Sequence, residues 1–461
     1  MSRPPPSRPA LSEPIIPSQV PRRQGQATPP PVHLQWPGRD EPEQIQQTAI
    51  VPWLCWPARP GVHGQLRLIA GRAEAVVQAL QAQGWAGRVD VIHLDPPFGT
   101  ELDFARVRDV PLADSTVTQQ VQAYHDTMDL PQWLSWMRAV LAGCHQLLSS
   151  RGALYLHLDF RRAAYARLLL DELFGSEQLL NEIIWSYGLG GSSPRRFQRK
   201  HDVIALYAKD VKKVWFQAPR QVATSIRMRG QSKAATDVWQ TADTAEDAAI
   251  VGAWPDDLVE KTMTNMDKER TGYPTQKPLA LCARMVQASL PAGGVALDLM
   301  CGSGTFGVAA AGAGAEVLLA DMGACALDVA RARMLVAGHA LTLERQLGSA
   351  LQIHEISVQL SRQPSGQVGL AAVNWPETST DLQGLGIDAL VAWGLADGKP
   401  GLDGQAAPTV LAWWEGSAGR QRPLVAKSLA VAAPEDVRYW LGVDVHGAWW
   451  CAPWSAGDMP G

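Results

Sequence analysis

The stretch Asp95-Pro96-Pro97-Phe98 concentrates more usable chemistry than any other four residues of this 461-residue chain. Asp95 offers a carboxylate. The two prolines remove two N–H donors and fix φ, so their carbonyls and the Phe98 ring are held in a defined place. Together, these groups suit the holding of a flat heterocycle by its exocyclic amino group. Taken alone, the same four residues also fit a strand that ends in a surface turn, so a second feature has to decide.

That feature begins at Val295. An apolar run ends in Asp298, and Leu299-Met300-Cys301-Gly302-Ser303-Gly304-Thr305 follows as a glycine-rich turn. Phe306 to Ala313 reads as a helix, and Glu316 to Ala320 as a second strand ending in Asp321. Gly302 and Gly304 let a backbone approach a ligand closely. An acid at the end of the second strand is placed to accept hydrogen bonds from ribose hydroxyls. The spacing G-x-G-x-x-G through Gly307 fits NAD, FAD or S-adenosylmethionine. No Walker A lysine is present, which argues against ATP or GTP here.

The elements that must position these groups alternate. Val89 to Leu94 reads as a buried strand that puts Asp95 at its carboxyl end, where ligands bind in open α/β sheets. Gln65 to Gly71 reads as a strand and turn, and Ala73 to Gln83 as a helix. Pro131 to Leu148 is helical in pattern, with a proline near its start. Ala153 to Leu158 reads as a strand ending in Asp159, Arg161 to Phe174 as a helix, and Glu182 to Trp185 and Val203 to Tyr207 as strands. This spacing argues for a mostly parallel sheet covered on both faces. Residues 99 to about 127 are polar and read as a loop above the site.

Bulk numbers bound the rest. The net charge of −4 carries no global nucleic-acid signature. Between Gly190 and Lys233, however, eleven basic residues face only Asp202 and Asp210, a local balance of +9 against −13 elsewhere. Such clustering is an electrostatic footprint for phosphates, although a solubilising loop has the same composition. Phe197, Tyr207, Trp215 and Phe216 interleave with the charges. The acidic stretch Asp237 to Glu260 reads as a solvated face. Six scattered cysteines show no CxxC pair and no zinc spacing, so reduced thiols in a cytoplasm are expected, with no metal. No signal peptide and no membrane span is read.

The two chemistry-bearing motifs, with others between them, resemble the β-group of site-specific, amino-methylating DNA methyltransferases. Asp95-Pro96-Pro97-Phe98 resembles their catalytic motif and Asp298 to Thr305 their cofactor motif, in that group's order. Lys268 to Pro278, Asn181 to Tyr187 and Ala153 to Asp159 are also similar, and the likeness covers roughly residues 34–345. It implies a Rossmann-like α/β fold with S-adenosyl-L-methionine as cofactor and double-stranded DNA as substrate. Asp95, Pro96, Pro97 and Phe98 would be catalytic. Asp298, Met300, Cys301, Gly302, Gly304, Thr305, Asp321, Thr275, Gln276 and Lys277 would serve the cofactor. Arg195, Arg196, Arg199 and Lys200 would contact DNA. An aspartate at the first catalytic position leans towards adenine N6. Cytosine N4, RNA adenine and a non-catalytic binding module remain as alternatives. The chain departs from the group's pattern at Leu299-Met300, where Pro-Phe is usual, at Phe306, where Thr is common, and at Arg72, where an acid is often seen.

The expected organisation is a Pro-rich disordered tail over 1–32, a catalytic domain over 33–350 with an inserted basic target-recognition region over about 188–270, and a Trp-rich appendage over 365–461. In that appendage Ala389 to Trp393 and Val437 to Val445 read as strands, and the tryptophans as core. Dimerisation, DNA contact and docking of a restriction subunit are all open to it, and a homodimer fits the resemblance.

Overall fold

The computed structural model describes residues 33–40, 49–57, 65–111, 116–187, 193–222, 231–240, 269–346, 353–362, 367–376, 390–400, 407–415, 428–430, 437–444 and 449–454. The expected tail over 1–32, most of the acidic stretch over 237–260, and Arg227 and Arg229 lie outside them.

The described residues between 50 and 346 are built around one ten-stranded sheet. Its strands are β1 (Ile50–Trp56), β2 (Gln65–Ala70), β3 (Val89–Leu94), β6 (Leu148–Leu158), β7 (Leu179–Ser186), β8 (His201–Ala208), β11 (Val238–Gln240), β12 (Val295–Asp298), β13 (Glu316–Asp321) and β14 (Ala340–Gln346), with β4 (Asp103–Pro111), β5 (Thr116–His125), β9 (Arg220–Val222) and β10 (Ser232–Ala234) lying outside this sheet. The order is β1-β14-β2-β13-β12-β3-β6-β8-β7-β11. From β14 to β6 every neighbouring pair is parallel, whereas β8 pairs antiparallel with both β6 and β7. The central strands read as unbroken apolar runs because both faces are covered. All six residues of β3 are buried. One exception to apolarity, Asp90, ties the sheet's amino edge by accepting from Ser149 Oγ, Arg151 Nε and Val295 N.

Helices α1 (Ala73–Ala82), α2 (Leu130–Leu147), α3 (Ala163–Phe174) and α4 (Leu279–Ser289) precede β12, and α5 (Thr305–Gly312) and α6 (Ala324–Val336) follow it. Helix α2 starts where Asp129 accepts the Gln132 N–H, and Pro131 sits in its first turn, where no N–H is missed.

The polar stretch after Phe98 is not a loop. It folds into a hairpin of β4 (Asp103–Pro111) and β5 (Thr116–His125), paired antiparallel from Asp103↔His125 to Pro111↔Thr116. Val121 and Ala123 pack on Cys325, Ala326 and Val329 of α6, giving the hairpin an apolar face. Arg106 is fully buried, donating to Asp328 and to the Thr271 carbonyl. A charge that reads as solvated in the sequence thus serves as an internal tie.

The span 188–270, expected as a single insertion, contains β8, a strand between β6 and β7 in the main sheet. The basic segment is therefore divided. Arg195 to Lys200 precede β8 at the carboxyl edge of β6, whereas Lys209, Lys212 and Lys213 follow it at the opposite edge.

At the C-terminus the described residues form a five-stranded and a three-stranded sheet. The five-stranded sheet includes Ile353–Glu355, so it starts before residue 365. Its tryptophans are core. Trp393 and Trp440 are fully buried, and Trp449 meets Trp53 of β1 edge-on at 5.0 Å. Arg331 of α6 lies over Trp413 and Trp449 at 5.1 and 5.3 Å. Cys55 N donates to Pro408 O at 3.0 Å, fastening β1 to the appended sheet through the backbone.

Candidate active site

The catalytic and cofactor motifs meet because β3 and β12 are neighbours. Asp298, the last residue of β12, pairs with His93, and Asp95 follows two residues later at the same edge. Asp321 ends β13 on the other side of β12. All three acids line one cavity of about 470 Å³, as do Pro96, Pro97, Phe98, Gly302 and Lys277.

Asp95 Oδ2 accepts from Lys277 Nζ at 2.5 Å, and the Lys277 ammonium stands 5.3 Å from the centre of the Phe98 ring. Asp95 Oδ1 is buried and has no partner among the described residues. Pro97 O accepts from Trp133 Nε1 at 2.9 Å, while Pro96 is among the residues that line the cavity. Gly99, at φ +73°, has the Arg162 guanidinium where a Cβ would stand, so the motif needs glycine there. Asp126 secures the next turn by accepting from Gly99 N, Thr100 N and Thr100 Oγ1.

An aromatic wall continues from Phe98. His157 lies 6.1 Å from that ring and Trp185 meets His157 edge-on at 5.4 Å. Burial, then the Lys277 charge, holds the His157 pKa below its usual value, so the neutral ring donates Nε2–H to Asp202 at 3.1 Å. Tyr187 donates to the other oxygen of Asp202 at 3.0 Å. Phe104, Tyr124 and Tyr273, which also line the cavity, stack in series, and burial raises the pKa of both tyrosines.

The cofactor-motif residues divide by role. Asp298 is buried, and both of its oxygens are engaged, by His93 Nδ1 at 2.9 Å and by Met300 N at 3.0 Å. It braces the turn from below. Asp321 accepts from Gly302 N and Gly323 N. Burial nevertheless pushes its pKa up to about 6. Gly302 adopts φ +49°, and an added Cβ would stand 3.1 Å from the Tyr273 ring. Thr305 Oγ1 and Ser303 O accept from Arg333, which straps the turn to α6. Gln276 faces its own loop, accepting from Thr271 and donating to Glu269 O. Thr275, at φ +56°, hydrogen-bonds with Tyr124 at 3.1 Å. Met300 and Cys301 line the cavity.

The departures from the family pattern have local reasons. Leu299 is buried in the core between β12 and the helices. Phe306 stacks on His93 at 5.0 Å, filling the space above the residue that holds Asp298. Arg72 lies beside Glu74, a buried acid on the cavity wall that also accepts from Trp136 Nε1 at 2.9 Å. Asp126, Trp133, His157, Tyr124 and Arg333 were not singled out from sequence, because their partners lie far away in the chain.

The fold and the site define an α/β group-transfer enzyme with its two motifs on adjacent strands. The family model described as DNA methylase, of N6/N4 type, matches residues 89–331, and the chain belongs to that family. Members take their methyl group from S-adenosylmethionine. The chain is similar to the Type II methyltransferase M.HpaI of Haemophilus parainfluenzae, 24% identical over 246 residues, 52% of this chain and 65% of that protein. It is similar to the DNA adenine methyltransferase YhdJ of Escherichia coli, 24% identical over 288 residues, 62% of this chain and 87% of that protein. A solved M1.HpyAVI–SAM complex aligns over 58% of this chain and 98% of that one, with 16% identity and a TM-score of 0.37. The family match ends at Arg331, before the appended sheets. Among the described residues no helix is long and apolar enough to cross a membrane.

Proposed function

We propose that the chain methylates adenine at N6 in duplex DNA after the base is turned out of the helix. The observation that carries this reading is the convergence of Asp95, Pro96 and Phe98 with the glycine turn on a single cavity. A base inside the stack cannot present its amino nitrogen to a methyl donor.

The residues fit S-adenosylmethionine. A buried, unpartnered Asp95 oxygen, a glycine at Gly302 where an added Cβ would crowd the Tyr273 ring, and the Asp321 carboxylate at the end of β13 all belong to the residues that line the cavity. When bound, the cofactor supplies an electrophilic methyl group. Asp321 would hold its ribose, with Gly302 and Gly304 lining the approach.

The chain's own residues do the rest. Asp95 accepts one amino hydrogen and the Pro96 carbonyl the other. Both bonds favour a pyramidal nitrogen with its lone pair freed from the ring. Phe98 stacks on the base and offers its π face to the developing positive charge. Fixed orientation supplies the remaining advantage. Lys277 holds Asp95 aimed until the amino group replaces it. Arg195, Arg196, Arg199 and Lys200, at the same edge of the sheet, grip phosphates.

The test is transfer of labelled methyl to unmethylated duplex DNA, followed by digestion to nucleosides. N6-methyladenine from the wild type and none from Asp95→Ala supports the reading. N4-methylcytosine overturns the base assignment, and label on RNA alone overturns the substrate.

A further inference from the structure

Phe197 is 98% exposed, more than any other large apolar side chain among the described residues. It stands in an exposed run, 194–199, between Arg196 and Arg199. The run is tied down at its far end, where Tyr187 N donates to Lys200 O at 2.9 Å, and it is turned locally where Arg195 N donates to Ser193 Oγ at 3.3 Å. Arg199 lies 3.5 Å from the centre of the Phe160 ring, just past the end of β6. Phe197 itself makes no ring or cation contact among the described residues.

The position of the run matters. It feeds β8, whose first residues pair with the last residues of β6, and β6 pairs with β3. Phe197 therefore rises from the edge of the sheet that carries Asp95, two strands away. A phenylalanine left in water contributes no hydrophobic stabilisation, whereas a buried one does. The flanking arginines suit a stack of bases between two phosphate backbones.

We propose that Phe197 is a wedge that enters the duplex and fills the gap left when the target base is drawn toward Asp95. Withdrawing a base costs a few kcal/mol of stacking and pairing, and an apolar side chain inserted at the step offsets part of that cost. The arginines on either side set its depth by holding phosphates. This inference deepens the proposed DNA-methylating function and rests on it.

The experiment compares wild type, Phe197→Ala and Phe197→Leu on unmethylated plasmid DNA. It measures initial methyl-transfer rates, permanganate oxidation of unstacked thymines in the complex, and S-adenosylmethionine affinity by calorimetry. Phe197→Ala is expected to lower kcat/KM by roughly 10–100-fold, with about 1.4 kcal/mol per tenfold. It should also reduce thymine reactivity and leave cofactor affinity unchanged. Phe197→Leu, which keeps an apolar wedge, should stay within about fivefold of wild type. Wild-type rates and thymine reactivity in Phe197→Ala overturn the wedge, as does a Phe197→Leu no better than Phe197→Ala. A wild type that transfers no methyl to DNA overturns the proposed function itself, and the wedge with it.

Discussion

Lys277 Nζ and Asp95 Oδ2 lie 2.5 Å apart although 182 positions separate them in the chain. The ammonium occupies a direction from which a substrate amino group would donate, so the ion pair marks that direction in the free protein. Removing the lysine leaves a largely buried carboxylate without its partner. Lys277→Met is expected to lower the methyl-transfer rate by about 10–100-fold and stability by roughly 1–3 kcal/mol. Single-turnover rates and urea unfolding check the two halves separately. A variant that methylates at the wild-type rate would remove Lys277 from the mechanism.

Asp321 gives the site a pH dependence of definite sign. Burial raises its pKa to about 6 in the folded chain, above its ordinary carboxylate value. The folded state therefore binds this proton more tightly than the unfolded one. This group's contribution to stability is largest at low pH and falls as pH rises towards 6. Cofactor binding runs the other way, because a ribose hydroxyl needs the ionised acceptor. S-adenosylmethionine affinity should be flat above about pH 7 and weaken up to about tenfold per unit below 6. Calorimetric titration of wild type and Asp321→Asn tests this; the variant should bind weakly with no pH dependence in that window.

Phe306 stands where relatives of its group often carry threonine. Here it is buried against His93, which in turn holds Asp298. Restoring the common residue with Phe306→Thr should destabilise the chain by about 2–5 kcal/mol, through lost burial and a cavity. Thermal unfolding reads this as a lowered Tm. An unchanged Tm would show that the neighbouring side chains close the gap.

The seam between β1 and the C-terminal sheet predicts that the two do not separate cleanly. Trp53 and Trp56 are buried and pack on Trp449 and Trp413. A chain ended after Gln346 would expose both rings. It should aggregate or melt well below the full chain, as light scattering and calorimetry would show. A soluble, equally stable truncation would make the appendage an independent module.

The sequence is most legible where chemistry sits at the end of a strand. Asp95, Asp298 and Asp321 each follow a short apolar run, so period and punctuation place them at one edge before any tertiary contact is known. The hairpin over 103–125 is hidden for the opposite reason. Its second strand, Thr116–His125, is dominated by Thr and Gln, and its fixing contact is Arg106 reaching Asp328, 222 positions away. The Lys277–Asp95 and His93–Asp298 pairs are hidden in the same way, since local pattern carries no record of a partner two hundred residues off. The basic cluster misleads because charge density is blind to strand direction. One antiparallel strand, β8, sends Lys209, Lys212 and Lys213 to the far edge of the sheet.

Adjacency of β3 and β12 also sets a timetable for synthesis. His93 and Asp298 sit side by side yet are 205 positions apart, so the ribosome needs ~10–40 s to deliver the second strand after the first. Throughout that interval an apolar strand from the middle of the finished sheet has one flank unpaired. The nascent chain is therefore exposed to edge-to-edge aggregation, and to capture by chaperones, for much of its own translation.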